Sequence, residues 1–327
     1  MKALVYDAYG APADVLQLRE VERPVVADDE VLVRVHATSV NPVDWHTLTG
    51  DPYIARLQAG LRKPKSGALG VDYAGTVEAV GAGVTRFQPG DEVFGGKNGA
   101  FAEYVCVREE RAVVPKPANV TFEQAAAVPV AALTALQGLR DKGKLQAGHK
   151  VLINGASGGV GTFAVQIAKS FGAEVKGVCS TRNVDIVRSI GADHVIDYTQ
   201  EDFTLSGQRY DLMLDIAGNR SWSECARVLA DKATLVVVGG PKGGHHWFGP
   251  LRHFGGVWVA SLVGSRRVVL FLAKFDKADL VVLAQLLEAG TVTPVIDRRY
   301  ALSDLPEALT YLGDGHAQGK VVITVPG

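Results

Sequence analysis

Three small residues in the stretch VLINGASGGVGTFAVQIAK have the spacing of a site that binds the phosphates of a nucleotide. Gly158 and Gly161 occupy the last two positions of a GxGxxG pattern, and Ala156 occupies the first. Where such a pattern joins a strand to a helix, the unpaired amides and the dipole of the helix start attract a pyrophosphate. The residues predicted to line this site are Ala156, Ser157, Gly158, Gly159, Val160 and Gly161.

The elements around these residues are those that this chemistry requires. Residues 151–153 form an apolar run that predicts a buried strand, 154–158 predict a turn, and 159–169 predict a helix. An alanine fits the first position of the pattern if its φ is negative. We therefore expect a dinucleotide site; the alternative is a turn that only packs a helix against a sheet.

The end of the next strand indicates which dinucleotide binds. An NAD site usually has Asp or Glu there, which accepts a hydrogen bond from the ribose 2′-hydroxyl. This chain has CSTRN instead, in which Ser180 and Arg182 offer a hydroxyl and a guanidinium to a 2′-phosphate. Tyr198, after the third strand, adds a phenolic donor. The sequence favours NADPH over NADH; the alternative is that Arg182 only covers the surface.

The composition is that of a globular protein with no nucleic-acid or membrane partner. The chain has 327 residues, 47% of them apolar, with 34 Lys and Arg against 35 Asp and Glu. These values allow two cores and leave no net charge to attract anionic polymers or lipids. No secretory signal opens the chain, no apolar stretch is long enough to span a membrane, and the three cysteines are scattered. We expect a cytoplasmic protein with reduced thiols.

The character of the chain changes twice. Its first third has short alternating strands separated by glycine, which is typical of a small barrel or sandwich. From about residue 118, apolar strands alternate with helices, which indicates a parallel sheet covered on both faces. Asn119 or Thr121 is the expected cap of the first of these helices. After a strong helix closed by Gly290, the tail resembles the first third, so both chain ends are expected to build the β-rich domain.

Several motifs, in order, resemble the quinone oxidoreductase branch of the medium-chain dehydrogenase/reductase superfamily. They are SVNPVDW (39–45), GVDYAGTVEAVG (70–81), PGDEVFG (89–95), AAVPVAALTALQGL (126–139), the glycine stretch with Gln166, and GHAQGKVVI (315–323). The resemblance covers essentially the whole chain. It implies an α/β protein with a GroES-like β-rich catalytic domain (1–123 and 265–327) and a doubly wound Rossmann domain (124–264) whose parallel sheet has six strands.

The zinc ligands of related alcohol dehydrogenases are missing from this chain. Val71 and Asp72 stand where those enzymes have His and Glu, and neither the first loop nor residues 130–134 offer a cysteine. A zinc ion needs about four N, S or O ligands, so we expect no metal. The histidine cluster that we interpret as a polar loop rather than a metal site consists of His245, His246 and His253.

The resemblance also implies roles for residues outside the glycine stretch. Asn41 would hydrogen-bond the substrate or the nicotinamide ribose, Asp44 would act beside it or fix its loop, and Tyr53 would donate a proton. The family often has Lys where this chain has His46, so a role for that position is open. The further expected contacts with the cofactor are Thr134, Gly239, Gly240 and Lys320, the last of them through the cofactor phosphates.

The expected absence of a metal limits the classes of reaction that the protein could catalyse. Oxidation of an alcohol without a metal or a strong base lacks a means of stabilising the alkoxide. Reduction of a quinone or an α,β-unsaturated carbonyl needs hydride and a few hydrogen-bond donors. We expect an NADPH-dependent reductase of such substrates and, from the resemblance, a homodimer paired through the strand GVWVASL (256–262). The alternatives are a non-catalytic NADPH-binding sensor or structural protein, and a metal-free alcohol dehydrogenase or ketone reductase.

Overall fold

The computed structural model describes residues 1–53, 56–239, 265–315 and 317–326. Its contacts divide the chain into two compact units, Met1–Leu133 with Phe275–Gly327 and Thr134–Lys274. Both divisions fall later in the chain than the predicted boundaries after residues 123 and 264. The first division lies inside a helix, so the change of composition near residue 118 precedes the change of unit.

The described elements alternate from strand-rich to helix-rich and back. The strands are β1 (Lys2–Val5), β2 (Gln17–Glu20), β3 (Glu30–Val40), β4 (Asp72–Val80), β5 (Glu92–Gly96), β6 (Tyr104–Arg108), β7 (Val113–Pro115), β8 (Lys150–Asn154), β9 (Glu174–Cys179), β10 (His194–Asp197), β11 (Tyr210–Asp215), β12 (Leu229–Val237), β13 (Arg267–Leu270), β14 (Ile296–Ala301) and β15 (Lys320–Thr324). The α-helices are α1 (Pro12–Val15), α2 (Pro42–Thr49), α3 (Arg56–Ala59), α4 (Phe122–Ala126), α5 (Pro129–Leu136), α6 (Gly159–Ser170), α7 (Val184–Ser189), α8 (Trp222–Val228), α9 (Lys277–Glu288) and α10 (Leu305–Asp314). Among the residues described, no helix is long and apolar enough to cross a membrane.

Strand β3 is the centre of the first unit. The main sheet runs β14–β15–β3–β4–β5–β7, and β6 also pairs with β3. One side of β3 pairs with β4, and the other side pairs first with β6 and then with β15. Val31, Val33 and Val35 are at most 1% exposed, as the period-two pattern of this strand predicts. The pairing of β15 with the end of β3 brings the carboxyl-terminal segment beside the first third of the chain.

The second unit contains a parallel sheet with the strand order β10–β9–β8–β11–β12–β13. The chain moves outward from β8 to β10 and then crosses to β11 on the other side of β8. Ligands of such sheets bind outside the carboxyl ends of the strands, where the order reverses. Residues 151–153 are fully buried, in agreement with the apolar run predicted as the first strand. The predicted six-stranded doubly wound sheet is confirmed.

The helix ends follow local sequence signals. Thr121 is the N-cap of α4, because its side-chain oxygen accepts from the Gln124 amide at 3.2 Å. Asn119, the other candidate, instead donates from Nδ2 to the carbonyl of Leu287 at 3.1 Å, near the end of α9. Gly290, with a φ of 68°, follows that helix. Its predicted role in closing the helix is confirmed.

Candidate functional site

The turn between β8 and α6 has the form predicted for the glycine-rich stretch. Ala156 keeps a negative φ, and its neighbour Gly155 has a φ of 92°, which favours glycine. The Ala156 side chain is fully buried. A methyl carbon added at Gly177 of β9 would lie 3.0 Å from the Ala156 Cβ. The alanine is therefore accommodated against β9, and Gly155, which the sequence analysis did not single out, makes the tight turn.

The two glycines at the helix start have different physical roles. A Cβ at Gly161 would lie 2.1 Å from the carbonyl oxygen of Gly155, so this glycine lets α6 approach the turn. A Cβ at Gly158 would have as its nearest neighbour the same oxygen at 3.7 Å. Packing within the protein therefore requires no glycine at position 158, and the space beside it is open to a ligand.

The backbone amides of the turn fall into two sets. Those of Gly155 and Ala156 donate to the carbonyl of Val178 at 3.2 and 3.0 Å and tie the turn to β9. The first intrahelical bond of α6 is donated by Thr162 to Gly158 at 2.9 Å. The three amides before it, of residues 159–161, have no carbonyl of their own helix to donate to, and the positive end of the helix dipole lies with them. This is the arrangement that binds a pyrophosphate.

The residues predicted to bind a 2′-phosphate meet at the neighbouring strand ends. Ser180 directly follows β9 and Tyr198 directly follows β10, and these strands are adjacent and parallel. The Tyr198 amide donates to the carbonyl of Cys179 at 3.0 Å. The Tyr198 side chain is 52% exposed, and Arg182 is also exposed. The structure thus brings a hydroxyl, a phenol and a guanidinium to one edge of the sheet.

An acidic residue that the sequence analysis did not identify ends β10 at the same edge. Asp197 Oδ2 accepts from the Thr181 hydroxyl at 2.6 Å, and Oδ1 accepts from the hydroxyl and amide of Thr199 at 2.7 and 3.0 Å. The Thr181 hydroxyl bond holds the pKa of Asp197 below its usual value. The carboxylate oxygens are thus occupied by threonine donors.

Asn183 is a further residue that sequence reasoning missed. It is 5% exposed, and its Nδ2 donates to Ser157 Oγ at 3.0 Å and to Ser180 Oγ at 3.2 Å. Its Oδ1 is buried and has no hydrogen-bond partner among the described residues. A buried orphaned acceptor beside donors and an open helix start fits a polar ligand such as the adenosine part of a dinucleotide.

For three other predicted cofactor contacts, Gly239, Gly240 and Thr134, the structure gives less support than for the glycine turn. A Cβ at Gly239 would lie 1.9 Å from the carbonyl oxygen of Ile216, so packing against the chain after β11 already explains this glycine without a cofactor. Gly240 lies outside the described residues. Thr134 is 9% exposed within α5, and its contact with a cofactor stays a prediction.

A second group of predicted residues forms a buried polar cluster in the first unit, consisting of Asn41, Asp44, Asp72 and Lys320. All four are at most 3% exposed. Lys320 Nζ donates to Asn41 Oδ1 at 2.5 Å, to the Val40 carbonyl at 3.3 Å and to Asp72 Oδ2 at 3.5 Å. The pairing of β15 with β3 creates this contact between residues at opposite ends of the chain.

Asp72 is the hub of the buried polar cluster. Its Oδ2 accepts from Asn41 Nδ2 at 2.8 Å and from Ser39 Oγ at 2.7 Å, and its Oδ1 accepts from the Val130 amide at 2.9 Å. In the sequence, Asp72 stands out only as a replacement for a zinc-site residue. The available signal was a carboxylate at the start of an otherwise apolar strand, since buried charges require partners.

Asp44 titrates near neutral pH. Its Oδ2 accepts from the Asn41 amide at 2.8 Å, and its Oδ1 is buried with no partner among the described residues. Burial in the first place, and then the charge of Asp72, raises the pKa of Asp44 to about 7. Burial also lowers the pKa of Lys320, against the opposing attraction of Asp72.

The buried polar cluster engages two residues for which other contacts are predicted. The Asn41 amide was expected to bind the substrate or the nicotinamide ribose, yet its Oδ1 accepts from Lys320 and its Nδ2 donates to Asp72 and, at 3.4 Å, to the Ser39 carbonyl. Lys320 was expected to contact cofactor phosphates, yet its three N–H groups all have acceptors inside the first unit. The Asn41 Oδ1 keeps a second lone pair, whereas a phosphate contact of Lys320 would replace one of the bonds that it makes here. Both predicted contacts stay predictions.

Tyr53 lies in a separate aromatic group after α2. The Arg56 guanidinium stacks on the rings of Tyr53 and Tyr9, with 4.5 Å to each ring centroid, and Arg56 Nε donates to the Gly50 carbonyl at 3.0 Å. His46 Nδ1 lies 2.6 Å from the Asp51 carbonyl oxygen. His46 therefore contacts the backbone of the segment that leads to Tyr53.

The residues that could ligate a metal do not gather into a metal site in the described part of the chain. No group of three or more His, Cys, Asp or Glu side chains there has the arrangement of a metal site. The histidines at positions 245, 246 and 253 lie outside the described residues. Asp72, at the position of a zinc-enzyme glutamate, has its oxygens engaged by the donors named above.

Known proteins match this chain over nearly its full length. Residues 27–118 match the family described as "Alcohol dehydrogenase GroES-like domain", and residues 190–323 match the one described as "Zinc-binding dehydrogenase". The chain is 34% identical to the "Chloroplast envelope quinone oxidoreductase homolog" of Arabidopsis thaliana, over 99% of this chain and 98% of that protein. It is 33% identical to the "NADPH-dependent alkenal/one oxidoreductase, chloroplastic" of the same plant, over 99% of this chain and 79% of that protein.

A solved structure agrees with these relatives. The quinone oxidoreductase from Coxiella burnetii superposes with a TM-score of 0.86 at 31% sequence identity. The match covers 100% of this chain and 99% of that one. The GroES-like and doubly wound architecture that the sequence predicted is therefore confirmed.

Proposed function

Because this chain belongs to the quinone oxidoreductase branch of the medium-chain dehydrogenase/reductase superfamily, we propose that it is an enzyme that reduces quinones or α,β-unsaturated carbonyls with NADPH. The observation that carries the proposal is the turn between β8 and α6. There Gly158 leaves an open space beside the start of α6, where three backbone amides have no acceptor in their own helix. A relative that uses NADPH on alkenals and alkenones supports the same reaction class.

The second unit supplies the cofactor site in this proposal. The amides of residues 159–161 bind the pyrophosphate, and Ser180, Arg182 and Tyr198 bind the 2′-phosphate. Thr134 stays a proposed contact. When bound, NADPH supplies the hydride that reduces the electrophilic carbon of the substrate.

The first unit supplies the proton in this proposal. After hydride addition, the substrate oxygen or carbon takes up a proton, and a positioned side chain speeds this transfer. Asn41 is engaged in the buried polar cluster, so we assign the proton to the phenol of Tyr53 or to water. Asp44 fixes the start of α2, because it accepts from the Asn41 amide.

Removal of the Tyr53 hydroxyl tests this assignment. In Tyr53→Phe, we expect turnover to fall by about 10²-fold, the lower range for loss of a positioned acid, with unchanged NADPH affinity. Tyr9→Phe is the matched control, since Tyr9 stacks on the same Arg56 and has no assigned role in the reaction. Undiminished turnover of Tyr53→Phe would remove Tyr53 from the proton path.

We also propose that the reaction needs no zinc, although one matched family is named for zinc binding. Val71 cannot ligate a metal, and four donors already use the Asp72 carboxylate. Reductase activity should therefore survive dialysis against a strong chelator.

The proposed function is tested by NADPH oxidation with a quinone and with panels of enones and simple ketones, with NADH alongside. We expect oxidation with quinones or enones, and a preference for NADPH that Arg182→Ala abolishes. Oxidation with simple ketones alone would indicate a ketone reductase. No oxidation, with NADPH still bound in calorimetry, would indicate a non-catalytic NADPH-binding protein.

A further inference from the structure

Three polar side chains from two segments of the second unit meet beside the glycine turn. Ser157 belongs to that turn, Ser180 follows β9, and Asn183 lies just before α7. Asn183 is buried, whereas both serines are partly exposed. The serines are thus accessible to a ligand at this edge, and the asparagine lies behind them.

The Asn183 amide determines the direction of both serine hydroxyl protons. Its two N–H groups donate to Ser157 Oγ at 3.0 Å and to Ser180 Oγ at 3.2 Å. A serine that accepts through a lone pair keeps its own proton for another acceptor. Within the described ranges, neither hydroxyl has such an acceptor. Both serines therefore present donors at the accessible edge.

The number of buried polar groups left without a hydrogen-bond partner decides the orientation of the Asn183 side-chain amide. As it stands, Oδ1 of Asn183 is the one atom of this amide without a partner among the described residues. The reversed amide would bury two N–H donors without acceptors, which is less favourable than one buried acceptor without a donor. The observed direction is the favourable one.

We propose that Asn183 is a positioning residue that makes the site select NADPH, because it turns Ser157 and Ser180 into two donors for the 2′-phosphate. This inference rests on the proposed function, since the ligand is the phosphate of the proposed cofactor. A phosphate monoester dianion accepts hydrogen bonds through all its terminal oxygens and is served by donors alone. The nearby Asp197 has its oxygens engaged by Thr181 and Thr199, so it does not compete for the serine protons.

An aspartate at position 183 should reverse this selection. In Asn183→Asp, both serine hydroxyls would donate to the new carboxylate and present lone pairs to the ligand. Calorimetric titration of the full-length protein with adenosine 2′,5′-bisphosphate and with adenosine 5′-monophosphate measures the effect. We expect the bisphosphate affinity to fall by roughly tenfold or more, since a hydrogen bond to a charged group contributes about 1.5–3 kcal/mol. The monophosphate affinity should change little, so the ratio of the two affinities falls.

Further variants separate this role from a structural one. Ser189→Ala removes an exposed hydroxyl in α7 that donates to the Ile186 carbonyl and contacts neither the two serines nor Asp197, and it should keep the wild-type affinity ratio. Asn183→Ala frees both hydroxyls to rotate and should lower the ratio by a few-fold. The same Asn183→Ala change should have no effect on the ratio once Ser157 and Ser180 are both alanine.

The outcomes distinguish the inference from the proposed function. A wild-type ratio in folded Asn183→Asp would overturn the role of Asn183 while the nucleotide site stands. If Asn183→Asp does not fold, the Ser157→Ala, Ser180→Ala double variant decides: a retained preference for the bisphosphate overturns the inference. If the wild-type protein binds neither probe nor NADPH, both the inference and the proposed function fail.

Discussion

At the scale of single residues, the buried polar cluster holds a cation and two carboxyl groups in the interior of the first unit. Asp72 and Lys320 are 0% and 3% exposed. The attraction between their charges, together with their hydrogen bonds, compensates for the hydration that each loses on burial. Replacing such a pair by neutral groups is often tolerated, whereas removing one partner leaves a buried unpaired charge. Neutralising only one charge of the cluster should therefore lower the stability of the protein more than neutralising the cation and the carboxylate together.

We expect Lys320→Met to lower the free energy of unfolding by about 3–5 kcal/mol, because Asp72 is left without its cation. Adding Asp72→Asn removes the unpaired charge and should restore part of the loss. Lys169→Met is the exposed control, since its pair with Asp193 is about one-third exposed on both sides, and it should cost less than about 1 kcal/mol. Urea unfolding measures all three; equal losses for the two lysine variants would contradict the buried pairing.

The pKa of Asp44 gives a prediction with a definite sign. It is raised from 3.8 to about 7 in the folded protein. At pH values between these two, the Asp44 carboxyl group therefore keeps its proton in the folded state and releases it in the unfolded state. The resulting stabilisation is full below about pH 4 and is lost as the pH rises through the folded value. Asp44→Asn lacks this dependence.

We therefore expect the wild-type protein to lose free energy of unfolding relative to Asp44→Asn between about pH 4 and about pH 8, by at most roughly 4 kcal/mol. Asp72, Lys320 and Tyr6 interact with Asp44 and are common to both proteins, so the difference isolates one carboxyl group. Urea unfolding across this range measures it. Parallel pH profiles of the two proteins would contradict the raised pKa.

At the scale of elements, the junction of β8 and α6 combines two demands on glycine that the sequence pattern does not distinguish. Gly161 is required by the approach of the helix to the carbonyl of Gly155, and Gly158 is not required by packing. Alanine substitutions separate packing from ligand binding.

Gly161→Ala should lower the free energy of unfolding by about 1–3 kcal/mol, because a carbon 2.1 Å from a carbonyl oxygen forces a backbone shift. Gly158→Ala should change it by less than about 0.5 kcal/mol. Both variants should weaken NADPH binding, measured by calorimetry, since the added methyl at position 158 fills the space left for the ligand. Wild-type affinity in Gly158→Ala would contradict a phosphate site at this turn.

At the scale of the whole molecule, the proposed homodimer stays a prediction from resemblance. The strand expected to pair, 256–262, lies outside the described residues. Pairing of an edge strand across a two-fold axis satisfies backbone groups that an exposed edge leaves open. We expect sedimentation equilibrium to give twice 34.7 kDa, that is 69.4 kDa, at micromolar concentration. A monomer mass throughout the concentration series would contradict it. Cytoplasmic location likewise stays a prediction.

The sequence by itself determined the features that depend on neighbouring residues. The glycine turn, the helix closed at Gly290 and the apolar strand 151–153 follow from local sterics, hydrogen bonding and periodicity, which adjacent residues encode. The cap of α4 was narrowed by the sequence to Asn119 or Thr121, and the structure decided for Thr121. The absence of an acidic residue after β9 likewise could be seen without a structure, because the motif fixes where that residue would stand.

Only the tertiary structure decided which distant side chains meet. Lys320 binds Asn41 across 279 positions because β15 pairs with β3 in one register, and Asn183 reaches Ser157 across 26 because β9 lies beside β8. A shift of one residue in the pairing of β15 with β3 would turn Lys320 to the opposite face of the sheet. Such contacts depend on strand order and register, which no local stretch of sequence contains, and so the partners that Asn41 and Lys320 have in the fold could not be predicted from the sequence.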